Sequence, residues 1–158
     1  IAMIEGPCLG GACLLATACD LRFADQKATF AVPTSKFGIV LDDDTVHRLV
    51  SLVGPANASE MLLTGDTINS EEAKRIGLIN DCLDQENLLK KVEEVSQRIQ
   101  ENSFGSIYEC KKSIRRAVFQ HESSGLNPQH ESVAVSSYLT SDFKNRVKSK
   151  SGTLKGSF

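Results

Sequence analysis

The opening run, IAMIEGPCLGGACLLATACD, constrains the fold more than any other stretch of the chain. An apolar segment reaches two adjacent glycines, Gly10 and Gly11, and the residues from about Ala12 to Ala18 are small or aliphatic and uncharged. A strand that ends in glycines and feeds a helix aims free backbone N–H groups, and the positive end of a helix dipole, at one point. Such a point suits an anion. A phosphate fits, although neither GxGxxG nor the GxxxxGKS/T pattern occurs. The oxygen of a thioester carbonyl turning into an enolate or tetrahedral oxyanion fits equally. A structural reason is also open: strand and helix packed so closely that no side chain has room. The missing charge after the glycines predicts a helix buried on all sides.

With 158 residues, 41% of them hydrophobic and 24% charged, the chain has the makings of one globular domain. A net charge of −2 supplies no basic field for nucleic acid or anionic lipid. No apolar run approaches the ~20 residues that span a bilayer, and nothing resembles a signal peptide. A cytoplasmic protein with neither nucleic acid nor membrane as partner is expected. The five cysteines, Cys8, Cys13, Cys19, Cys82 and Cys110, form no CxxC pair and no zinc-spaced set with His. They read as reduced thiols in apolar settings, and no metal site is expected. The chain opens on Ile1, not Met, with residues that look like an interior strand apolar on both faces. A strand of that kind needs neighbours on both sides, so a preceding N-terminal portion is expected.

Ile1 to Glu5 predicts a short strand broken by Gly6-Pro7. Leu21 to Ala24 and Ala28 to Val32 predict two more, separated by the polar turn Asp25-Gln26-Lys27 and closed by Pro33. Past Phe37 to Leu41 and the run Asp42-Asp43-Asp44, apolar residues at 46, 49, 50 and 53 have helical spacing, with an Asp placed to cap the helix and Gly54-Pro55 to stop it. Ala56 to Leu63 predicts the next helix, and Ser70 to Ile76 another, capped by Asn69 or Ser70 and stopped by Gly77. Leu78-Ile79 predicts a short strand. Gln85 to Gln100 is amphipathic, with Leu88, Leu89, Val92, Val95 and Ile99 on one face. Ser106 to Phe119 and Glu131 to Val147 predict the last two helices, before a tail at Ser149 to Thr153.

The opening run, followed by LRFADQKATFAVP and then RLVSLVGPANASEMLLTGDTINSEEAKRIGLIND, resembles the enoyl-CoA hydratase/isomerase family, the crotonases. The similarity is dense from Ile1 to about Asp81 and thin beyond Asn102. It implies an α/β crotonase-like fold of the ClpP/crotonase class: a ββα superhelical core over residues 1–102, and a helical region over residues 103–158 for oligomerisation and as a lid. The implied assembly is a homotrimer or a dimer of trimers. The implied substrate is an acyl-CoA or acyl-carrier-protein thioester, with coenzyme A or phosphopantetheine as part of that substrate and no bound prosthetic group. The resemblance makes the Gly11 N–H one of two oxyanion donors, the second coming from before Ile1. It places Leu9, Gly10, Leu14, Thr34, Phe37, Gly38 and Leu41 around the substrate. Lys144, Lys155 and Phe158 stand where basic and aromatic groups hold the CoA phosphates and adenine. Lys150, Thr153 and Leu154 fall where an aromatic and a basic pair are expected, which leaves an acyl-carrier protein open as the carrier.

The departures from the family pattern carry as much weight. Hydratases of this family have one catalytic Glu three residues after the oxyanion glycine and another just after the proline that closes the next strand. Here those positions are Leu14 and Thr34. Neither exchanges a proton near neutral pH, so water addition by paired glutamates is not expected. Asp42, eight residues past Thr34, falls where similar enzymes place an acidic residue: a proton carrier in dienoyl-CoA isomerases, a participant in thioester hydrolysis in hydroxyacyl-CoA hydrolases, a nucleophile in a chlorobenzoyl-CoA dehalogenase. Burial beside an acyl chain, and the charges of Asp43 and Asp44, are expected to raise its pKa. The plainer reading makes the three aspartates a helix start, Asp44 in particular. His47 reads as a surface or packing residue. Ser35, Lys36 and Phe37 line or flank the acyl pocket, and Thr34 orients substrate or water or simply ends a strand. The expected activity is double-bond isomerisation or a related lyase step with Asp42 as acid and base. The alternatives are thioester hydrolysis, decarboxylation of an acyl-carrier substrate, and a non-catalytic acyl-CoA-binding or oligomeric scaffold.

Overall fold

Strands β1 (Ala2–Ile4) and β2 (Pro7–Leu9) are separated by Gly6, whose φ of 76° turns the chain between them. Helix α1 (Gly11–Thr17) then carries the chain back to β3 (Arg22–Asp25), and a tight turn leads to β4 (Thr29–Ala31). The short helix α2 (Thr34–Phe37) and the long α3 (Asp43–Thr64) follow. Next come β5 (Ile68–Asn69), α4 (Ser70–Arg75), β6 (Asp81–Leu83), α5 (Gln85–Gln100) and α6 (Phe104–Phe119). The computed structural model describes residues 1–119 together with 139, 141, 144, 145, 147 and 148. Of the helix expected over 131–147, residues 141, 144, 145 and 147 are described and helical, 139 is a turn, and the others lie outside the described residues.

Two sheets grow side by side. One has the order β1-β3-β6, all parallel, with Ala2, Met3 and Ile4 opposite Arg22, Phe23 and Ala24. The other has the order β2-β4-β5, parallel between β2 and β4 and antiparallel between β4 and β5. The first two turns of chain each add one strand to each sheet and then cross back through helix, the ββα spiral of the crotonase-like fold; in the third, β5 joins its sheet antiparallel before α4 and β6 follow. Parallel neighbours require such crossovers, and helices over the sheets bury their faces. β3, in the middle of its sheet, is buried at all four residues, so its sequence shows no alternation. Phe30, Leu49, Leu78 and Leu88 are fully enclosed, each contributing roughly 1.5–3 kcal/mol by leaving water.

Several expectations need correction. α1 is not buried all round: Cys13, Ala16 and Thr17 face the core, but Leu15 is 71% exposed, so the uncharged segment shows an apolar outer face. Leu78 and Ile79 are buried in a turn, and the strand is Asp81–Leu83. Only Leu88 of the α5 stripe is fully buried; Leu89 and Ile99 are exposed. α2 was not foreseen, because Pro33 ends β4 and four residues then close one tight turn capped by Gly38. The break at Gly54-Pro55 is present as a kink inside α3, with Gly54 at φ 76° and ψ 163°.

Buried polar groups tie the turns together. The Ser70 hydroxyl, 1% exposed, lies within hydrogen-bond distance of the carbonyls of both Asp25 (2.6 Å) and Ala28 (2.8 Å) and fastens the β3–β4 turn to the start of α4. Asn69 caps α4 through the Glu72 amide, as expected. Gly77 ends that helix at φ 84°, and a Cβ there would stand 2.9 Å from the Leu52 carbonyl oxygen. Gly77→Ala therefore combines left-handed strain with a backbone overlap and should lower stability by about 3 kcal/mol. Gly105→Ala, in α6 with open space around it, should raise stability by about 0.5 kcal/mol. Urea unfolding of both variants checks the contrast; equal effects would refute the packing assigned to Gly77.

Candidate active site at the glycine turn

The turn is built by Gly10. Its φ of 58° and ψ of −122° lie where a side chain is strained, and its amide donates to the Ala31 carbonyl at 2.8 Å. That one bond closes the β2–β4 pairing and directs the chain into α1. Leu14 is the first residue to return a hydrogen bond to the turn, from its amide to the Gly10 carbonyl at 3.0 Å. The amides of Gly11, Ala12 and Cys13 lie in the first turn, where no intrahelical acceptor exists. Gly11 is exposed, and a Cβ on Gly10 or Gly11 would meet nothing within 4 Å. Among the described residues nothing crowds either Cβ position, and Gly10 serves a backbone conformation that a side chain would strain.

Because β2 and β4 run parallel with Leu9 opposite Ala31, the segments leaving both strands emerge at the same end. Leu9, Gly10 and Gly11 leave one strand there, and Val32, Pro33 and Thr34 leave the other. Thr34 is half-buried and opens α2 instead of ending a strand. Phe37 is half-buried, and Gly38 takes the left-handed conformation that stops α2. The Lys36 ammonium pairs with Asp66 at 2.8 Å, which turns it toward the end of α3. Leu14 and Leu41 pack against the main core. α1 and α2 both pack on α3, which gathers these segments around one helix. Lys144 is helical and exposed, while Lys155 and Phe158 lie outside the described residues.

Asp42, not Asp44, is the cap of α3. Its Oδ1 accepts the Thr45 amide at 2.8 Å and its Oδ2 accepts the Thr45 hydroxyl at 2.7 Å. Thr45 Oγ1 in turn accepts from Arg48 Nη2 at 3.2 Å. Burial pushes the Asp42 carboxyl up, but the bonds from Thr45 and the charge of Arg48 outweigh it and hold the carboxyl below its ordinary value. The expected upward shift is thus reversed. Both oxygens already accept hydrogen bonds to the ionised form, and Asp43 and Asp44 are exposed. Arg48 also has a buried Nε with no hydrogen-bond partner among the described residues. His47 is exposed and its Nε2 bonds the Val118 carbonyl on α6, which fits the packing role expected for it.

Sequence reasoning missed three groups. Thr45 and Arg48 hold Asp42, and the signal was the spacing i, i+3, i+6 along a helix start. Cys8 and Cys13 flank the glycine turn and act on each other: the neighbouring thiol holds Cys8 down, whereas that neighbour and burial push Cys13 far up. Arg22, read only as part of a strand, is buried with its guanidinium on main-chain carbonyls. A cavity of about 460 Å³ lined by Asp25, Gln26, Lys27, Asp84, Gln85 and Glu86 contains none of the residues picked from the sequence.

The family model described as enoyl-CoA hydratase/isomerase matches residues 1–153. A short-chain-enoyl-CoA hydratase of Clostridioides difficile is 35% identical over 127 residues, 80% of this chain and 81% of that protein. A crotonyl-CoA hydratase of Syntrophomonas wolfei is 43% identical over 99 residues, 63% of this chain but 38% of that protein. The crystal structure of an enoyl-CoA hydratase/isomerase from Pseudoalteromonas atlantica superposes with a TM-score of 0.84 at 22% identity, over 94% of this chain and 59% of that one. The chain thus spans less than two thirds of the second relative and of that solved structure. The match over nearly the whole length, with the glycine turn and the spiral core in place, shows that this chain belongs to the enoyl-CoA hydratase/isomerase family.

Proposed function

We propose that the protein processes an acyl thioester by stabilising its enolate or oxyanion at the Gly11 amide, and that the reaction is double-bond isomerisation or a related lyase step. The observation that carries this reading is the turn itself: an amide in the first turn of α1, where no intrahelical acceptor exists, on an exposed glycine. An anionic oxygen there gains a charge-assisted bond that the neutral thioester does not, and such differential binding lowers the barrier. The relatives named above are hydratases. Water addition needs groups that give and take protons beside the acyl chain, and Leu14 and Thr34 do neither.

Asp42 is the proposed proton carrier. With its carboxyl held below the ordinary range, it is ionised at neutral pH, so it first accepts a proton from the substrate and afterwards returns it. An ionised carboxylate with two capped oxygens also suits activation of water, which favours thioester hydrolysis as the second reading. The carrier is coenzyme A or the phosphopantetheine arm of an acyl-carrier protein, and Lys144, on the described part of the tail, is exposed to meet its phosphates. Exposed Leu89 and Ile99 on α5 and Phe104, Tyr108 and Ile114 on α6 support assembly as a homotrimer that covers them.

Gly11→Pro removes the donor hydrogen at the first helical position, where proline is structurally accepted. The complete protein carrying it should fold and lose about 10²-fold to 10³-fold in kcat on its thioester substrate; an unchanged kcat would remove Gly11 from the mechanism. Asp42→Asn keeps a capping side chain and removes the carboxylate, so stability should hold within about 0.5 kcal/mol while turnover falls at least about 100-fold. Asp42→Ala should in addition cost about 1 kcal/mol through the lost cap. The carboxylate's own share of stability has a sign fixed by its lowered pKa: present above the unfolded value near ~3.9 and lost as pH falls through the lower folded value. The stability difference between wild type and Asp42→Asn, followed by denaturant unfolding, should stay constant above about pH 5 and change only below about pH 4.

A further inference from the structure

We propose that Arg22 is a positioning residue of the same site: its buried guanidinium clamps the far end of α1 and sets a positive charge behind the Gly11 amide, favouring an anionic acyl oxygen over a neutral one. The inference rests on the oxyanion reading given above and adds to it the group that supports the donor from within the protein.

Arg22 stands on β3 with 4% of its surface exposed. Its main chain is fixed on both sides, the amide donating to Asn80 Oδ1 at 2.7 Å and the carbonyl accepting from the Asn80 amide at 2.8 Å. From that base Nε donates to the Leu78 carbonyl at 2.8 Å. Nη1 donates to the Ala16 carbonyl at 3.4 Å and also to that of Cys19. Ala16 lies in the last turn of α1, and Cys19 just beyond it. One planar group thus holds the end of α1 against the turn that follows α4, so that α1 cannot slide or tilt without breaking its bonds to the guanidinium.

The chemistry of the clamp exceeds what a clamp needs. Neutral donors, such as an amide side chain or a water, satisfy buried carbonyls at far lower desolvation cost than a cation does. Arg22 makes its contacts with carbonyls and, among the described residues, forms no ion pair; Asp20, the acid next to the Cys19 contact, pairs with Lys111 at the surface. The guanidinium stays charged at any pH of interest, so its field is only partly compensated. Seven residues of helix rise about 10 Å, which puts the charge roughly 12 Å from the Gly11 amide. At that distance, with an effective dielectric of about 20, one charge favours an anion by about tenfold. A neutral thioester in the same place feels little of it.

The test is calorimetric titration of the full-length protein with two probes, propionyl-CoA and its anionic 2-nitronate analogue. Wild type should prefer the nitronate. Arg22→Met and Arg22→Gln should lower that preference by about tenfold while binding propionyl-CoA within about twofold of wild type. Arg22→Lys keeps the charge but loses the fork geometry, and should retain the preference to within about threefold. Equal weakening of both probes in the neutral variants marks a structural clamp only and overturns the proposal, as does a preference that survives Arg22→Met. If neither neutral variant folds, Arg22→Lys decides: a lost preference there overturns it and a retained one supports it. A wild type that binds neither probe, or does not prefer the nitronate, refutes the oxyanion reading itself, so the two failures are told apart.

Discussion

The hydrogen bond from the Gly10 amide to the Ala31 carbonyl, made by a residue at φ 58° and ψ −122°, is the contact on which the rest of the molecule depends. It finishes the parallel pairing of β2 with β4 and reverses the chain into α1 within one residue. Because the pairing is parallel, the exits of both strands face the same way, and the helix start is delivered beside Thr34. A residue with a Cβ at position 10 would strain this turn, and the whole end of the sheet would shift with it.

Around that turn the fold is a spiral in which each revolution hands one strand to each of two small sheets. Strands of three or four residues cannot hold together alone. They are stabilised by helices laid across them and by a few buried polar groups that fasten one revolution to the next: Ser70 on the β3–β4 turn, Asn80 on Arg22, and Arg22 on the turn that follows α4. Each of these bonds connects residues far apart in the chain. Losing one leaves a buried main-chain carbonyl or N–H unsatisfied, at about 1–3 kcal/mol each.

Asp42 shows how a single side chain is constrained by two demands. As a cap it accepts two bonds from Thr45, and these favour the ionised form. A carboxylate so held makes a weak general acid but stays available as a charged group at the start of a helix packed against both α1 and α2. The energy that fixes its position and the energy that sets its protonation come from the same bonds. Chemistry that begins with proton acceptance is compatible with that arrangement; chemistry that begins with proton donation is not.

By itself the sequence determined the elements whose signals are local: the glycine turn, the caps at Asn69 and the α3 start, the kink at Gly54-Pro55, the span of α5 and the family pattern. These rest on backbone preferences and on residues within a few positions of one another. Only the tertiary structure decided that α1 shows an apolar outer face, that Leu78-Ile79 is a buried turn and not a strand, and that Arg22 ends on main-chain carbonyls of α1 and of the turns after α1 and α4. Those outcomes depend on what packs against each residue from another turn of the spiral. The Asp42 carboxyl stands between the two: Thr45 and Arg48 lie three and six residues along the same chain, yet their side chains act on it only once α3 has formed.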